Sequence, residues 1–132
     1  MSRHRKIVAA VLLLGLLGGS SAFASGRDSD GSRMQARPHE PGERAQDQLS
    51  PPSDNVDWRY FRLSEASDVT IEVDANPGSA AVKVTITDAM GKSITSVVTS
   101  DGKVTTRRRL DPGLYYVAVS CTTSVAYTLS IR

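Results

Sequence analysis

Two histidines, one cysteine and a scatter of turn carboxylates are the groups in this sequence whose chemistry could act on a substrate. Nucleophilic hydrolysis needs a serine or cysteine oriented by a general base, most often histidine. His4 lies in the basic start of the N-terminal targeting segment and His39 in the polar stretch over 25–55, before the first strand of the folded part, so residues 56–132 contain no histidine. Cys121 is the only cysteine, and zinc sites draw on clustered Cys and His. It continues the inward phase of Tyr115, Val117 and Val119, which reads as a small buried residue. Asp74, Asp88, Asp101 and Asp111 fall at turns, where aspartate bonds the nearby backbone. The expectation is a chain without catalysis.

Binding chemistry is better represented. Asp54, Asn55 and Asp57 cluster before a strand and offer oxygen ligands of the kind calcium takes, so calcium is the one metal candidate, without the spacing of a known calcium loop, and no cofactor is expected. Asp74 with Asn76 is a weaker pair at a loop. Trp58, Tyr60 and Tyr116 alternate with inward residues on their strands, so all three point outward, where aromatics stack on sugars or anchor a protein partner. Arg107 and Arg109 share one face of a strand and are expected at the rim of that aromatic surface. Arg108 falls in line with Val104 and Leu110, a conflict that predicts a β-bulge or an edge strand.

These residues are carried by alternating apolar patterns. Phe61 and Leu63 alternate with Tyr60 and Arg62. Val69, Ile71 and Val73 alternate with Thr70, Glu72 and Asp74, and Val82, Val84 and Ile86 with Lys83, Thr85 and Thr87. Asp88-Ala89-Met90-Gly91 and Asp101-Gly102 are tight-turn signals, and Pro112-Gly113 separates the strand over 104–110 from that over 114–121. A final strand runs over 125–131. About seven short strands at this spacing predict an all-β fold, a small antiparallel β-sandwich of jelly-roll type.

The N-terminus reads as a targeting segment. Arg3, Arg5 and Lys6 precede an apolar run over 7–17, and Ala22-Phe23-Ala24 is a small-x-small cleavage motif, which predicts a signal peptide over 1–24 cut after Ala24. The run is too short for a membrane span. The chain carries 16 Lys and Arg against 14 Asp and Glu, and removing the three basic residues of the signal leaves a net of −1. Nucleic acid is therefore not an expected partner. Residues 25–55 are rich in Ser, Gly, Pro and charge, with Met34 and Leu49 as the only large apolar residues, which predicts a disordered linker. The folded domain is expected over 56–132.

Four segments in order resemble the bacterial pre-peptidase C-terminal domain: residues 57–63 (Asp-Trp-Arg-Tyr-Phe-Arg-Leu), 88–92 (Asp-Ala-Met-Gly-Lys), 110–119 (Leu-Asp-Pro-Gly-Leu-Tyr-Tyr-Val-Ala-Val) and 126–131 (Ala-Tyr-Thr-Leu-Ser-Ile). Two positions depart from the pattern: Arg59 replaces a second aromatic or apolar residue, and residues 81–84 lack the usual acidic side chain. The resemblance implies a β-sandwich accessory without catalysis, standing alone, and secreted or periplasmic. Its expected partners are a polysaccharide, a matrix polymer or an envelope protein. The alternative is a secreted inhibitor or chaperone-like accessory of a separately encoded protease, acting through the loops at 76–78 and 111–113.

Overall fold

Strict alternation of apolar and polar residues builds strands with one buried face, and that face accounts for most of the architecture. A computed structural model describes residues 31–132. The expected signal segment and its cleavage site lie outside the described residues. A 3₁₀ turn (Arg33–Gln35) is followed by β1 (Arg37–Pro38), β2 (Arg44–Leu49), β3 (Val56–Leu63), β4 (Ser67–Asn76), β5 (Val82–Asp88), β6 (Ser93–Thr99), β7 (Lys103–Leu110), β8 (Gly113–Cys121) and β9 (Val125–Ile131). Among these residues one sheet has the order β1-β3-β8-β5-β6 and the other β2-β9-β4-β7. All pairings are antiparallel except β1 with β3.

The two sheets enclose one core. Val69, Ile71 and Val73 of β4 and Leu129 and Ile131 of β9 meet Val84 and Ile86 of β5 and Val117 and Val119 of β8. Burying each such side chain contributes about 1.5–3 kcal/mol. Phe61 and Tyr115 stack inside at a ring separation of 5.7 Å, and the Tyr115 hydroxyl donates to the Asp111 carbonyl at 2.7 Å. The seven strands from β3 to β9 correspond to those expected from alternation.

The expected disordered linker is corrected in its second half. β2 pairs with β9 over six residues, from Arg44↔Ser130 to Leu49↔Val125. Leu49 is 1% exposed and lies in the core. His39 is equally buried, its Nε2 2.9 Å from the Glu43 carbonyl. The low apolar content of the segment misleads because β2 turns an aspartate inward. Arg37 and Arg59 both donate to Asp47 Oδ2, Arg59 at 2.9 Å. The Gln48 backbone N–H satisfies Oδ1 at 2.8 Å. The folded domain therefore begins well before residue 56.

β7 is an edge strand in unbroken register with β4, from Ser67↔Leu110 to Asp74↔Lys103. Of the two expectations for Arg108, the edge strand holds and the bulge does not: Arg108, in phase with Val104 and Leu110, is exposed on the edge strand.

Candidate aromatic binding face

The pairing of β3 with β8 sets Trp58 opposite Ala118, Tyr60 opposite Tyr116 and Arg62 opposite Leu114. Inward residues of the same strands are Phe61, Tyr115, Val117 and Val119, so Trp58, Tyr60 and Tyr116 share the outer face of the five-stranded sheet. Tyr116 stands between the other two. Its ring centroid is 6.5 Å from that of Trp58 with the planes at 76°, and 6.4 Å from that of Tyr60 at 58°. Edge-on contacts of this kind suit the ring quadrupoles. All three rings remain partly exposed, while Ala118 beside Trp58 is buried.

Arg33 completes the arrangement. Its guanidinium carbon lies 5.3 Å from the Tyr116 ring centroid, a cation–π distance, and Nη1 donates to the Ala89 carbonyl at 3.0 Å. This tethers the 3₁₀ turn to the β5–β6 hairpin and fixes a cation at one border of the aromatic cluster. No feature of the sequence around Arg33 signalled this contact.

Arg107 and Arg109 are not brought to that surface. They lie on β7, in the other sheet, with Arg107 opposite Thr70 and Arg109 opposite Asp68. Both are exposed and reach the Asp68 carboxylate at 3.5 and 3.6 Å, pairs worth little in water. That outer face is polar. Arg44, Glu72, Asp74, Lys103, Thr128 and Ser130 line a shallow groove of about 200 Å³ there.

The calcium candidates also separate. Asn55 is exposed, and Asp54 is buried at the bridge between Ser50 and Asp54. Asp57 points between the sheets, where the Tyr127 hydroxyl donates to its Oδ2 at 2.5 Å. Burial, reinforced by the Asp57 charge, pushes the Tyr127 hydroxyl well above its ordinary range, so it stays a donor. Among the described residues, no group of three or more His, Cys, Asp or Glu is placed to hold a metal ion.

Cys121 is buried, and its thiol donates to the Thr123 carbonyl at 2.8 Å. Burial pushes the thiol up, and the charges of Asp57 and Asp54 push it the same way. Thiolate is the reactive form. Native protein at pH 8 is therefore expected to stay unlabelled by an aromatic disulfide reagent over a time in which guanidinium-unfolded protein labels fully. Equal labelling rates would contradict the buried placement.

No protein-family model matches this sequence, and no curated protein matches it. Solved structures do. The pre-peptidase C-terminal domain of collagenase from Bacillus anthracis superposes with a TM-score of 0.66 at 18% identity, covering 74% of this chain and 94% of that one. The fold is that of a pre-peptidase C-terminal domain. The share of this chain that is matched is larger than residues 56–132 supply, so the common architecture takes in residues before 56. A surface-associated copper-binding protein of Methylomicrobium album BG8, CorA, matches with a TM-score of 0.58 at 10% identity, over 74% of this chain and 98% of that one. The Yersinia pseudotuberculosis-derived mitogen matches at 0.52 and 9%, over 68% and 83%. These likenesses are of fold. Among the described residues, no helix is long and apolar enough to cross a membrane.

Proposed function

We propose that this protein is an exported binding module without catalytic activity, which holds an extracellular or envelope polymer or protein against the aromatic face of its five-stranded sheet. The observation that carries this reading is the cluster of Trp58, Tyr60 and Tyr116, three partly exposed rings on one sheet face, with Tyr116 in contact with each of the other two and the Arg33 cation over Tyr116. Aromatic side chains supply contact area at low cost in side-chain entropy and are the usual anchors of sugar and protein interfaces. The absence of histidine from residues 56–132 and the burial of His39 and Cys121 leave the face without an exposed nucleophile–base pair. The basic and apolar character of residues 1–17 supports export.

Trp58→Ala combined with Tyr116→Ala tests the reading. Retention on insoluble polysaccharide, collagen-like matrix and the envelope fraction of the producing cell is compared with that of the unaltered protein. Truncating two aromatic anchors is expected to weaken retention on the responsive support at least about thirtyfold, with the circular dichroism spectrum unchanged. Equal retention by a folded variant on all three supports would dismiss the aromatic face as the site.

A further inference from the structure

We infer that the outer edge of β6 is a self-association surface, which pairs antiparallel with β6 of a second copy and joins two five-stranded sheets into one of ten strands.

Four strands end the two sheets: β1, β6, β2 and β7. A sheet edge exposes unpaired N–H and C=O groups, and proteins normally guard it with short length, proline or charge. Three of the four edges are guarded. β1 has two residues, one of them Pro38. β2 carries Arg44 and turns Asp47 inward to Arg37 and Arg59. β7 carries Lys103, Arg107, Arg108 and Arg109. β6 has none of these devices: Ser-Ile-Thr-Ser-Val-Val-Thr holds no charge and no proline, and its β-branched residues favour an extended backbone. The register shift beside Ile86 and Thr87 is confined to its Ser93 end, so residues 95–99 run regularly.

A second observation marks the same place. Large exposed apolar side chains are few among the described residues, and two of the three belong to this hairpin: Val98, 66% exposed, on β6, and Met90, 85% exposed, in the turn that leads to it. Ile94 and Val97 pack against the core yet stay only partly buried, because no strand follows β6 to cover them.

The geometry favours a second copy as the occupant. Two-fold antiparallel pairing requires residues of the same facing to meet, which centres the axis on Ser96 or Val97. The first register sets Ser96 against Ser96 and Val97 against Thr95; the second sets Val97 against Val97 and Val98 against Ser96. In both, the Lys92 end of each strand comes beside the Asp101 end of the other, so an attraction acts at both ends. The pairing uses β6 in both copies and leaves only guarded edges, which closes the assembly at two.

Sedimentation equilibrium of the full chain from micromolar to millimolar concentration tests this. A concentration-dependent monomer–dimer equilibrium is expected. The double variant Ser96→Lys with Val98→Lys is expected to remain monomeric, since in either register a lysine of one copy faces a lysine of the other. Both positions point to solvent from the outer face, so the fold is retained. Backbone amide exchange of residues 95–98 in the unaltered protein is a second readout and is expected to slow as concentration rises. A monomer at millimolar concentration, a dimer that survives in the folded double variant, or exchange independent of concentration would each overturn the inference. A monomer that instead captures an extended foreign peptide would also overturn it.

Discussion

Asp47→Ala is expected to lower the unfolding free energy by about 3 kcal/mol, the lower end of the range for breaking a buried ion pair by removing one partner. Arg59 is then left inside the sandwich, its side chain 10% exposed, without the carboxylate that accepts its hydrogen bond. For a domain of this size that loss corresponds to a fall in melting midpoint of roughly 10–20 °C. Arg37→Ala is a milder change, within about 1 kcal/mol, because the Arg37 side chain is 39% exposed. Asp47→Leu combined with Arg59→Met removes both charges and is expected to recover most of the loss, since apolar replacements of a buried pair are often neutral or better. Urea unfolding monitored by Trp58 fluorescence reads all three. A loss below about 0.5 kcal/mol for Asp47→Ala would mean that Arg59 reaches water without its partner.

The second large effect concerns where the folding unit starts. A fragment of residues 56–132 is expected to show no cooperative thermal transition, whereas a fragment of residues 31–132 melts cooperatively. Cutting at residue 56 removes the six-residue β2 ladder on β9 and takes Leu49 and His39 out of the interior. Loss of one buried leucine alone costs about 2–5 kcal/mol, which is comparable with the whole stability of a small domain. Arg59 also loses Asp47 in the same cut. A sharp transition in the shorter fragment, at a midpoint near that of the longer one, would show that β2 is dispensable.

The sequence was legible wherever burial follows apolar alternation. Val69, Ile71 and Val73 or Val82, Val84 and Ile86 declare both a strand and its inner face, and β3 to β9 emerge from such patterns. β2 was not legible because its inward positions are Ala45, Asp47 and Leu49, only one of them a large apolar residue. A clue existed on β3, in the facing sheet: Arg59 and Asp57 share the phase of Phe61, so both had to point inward and both needed partners. Asp57 found Tyr127, and Arg59 found Asp47. The aromatic trio was readable because the phase of β3 and β8 fixes the outward face. That Arg107 and Arg109 lie on the other sheet, away from it, was not, because strand phase separates inside from outside and does not say which of two outer faces a strand belongs to. Sheet membership depends on pairing between distant segments, and local alternation carries no record of it.

The strand order also dictates when this domain comes into being. β8 and β9, the last strands in the chain, occupy interior positions in their respective sheets, and β3 has only β1 and β8 as neighbours. A chain emerging from its N-terminus can therefore assemble little beyond the β5–β6 hairpin and the β4–β7 pair until residues 113–131 are available. Such long-range closure is slow compared with local folding. The half-made chain passes through synthesis as an open thread and acquires both sheets together, at the end.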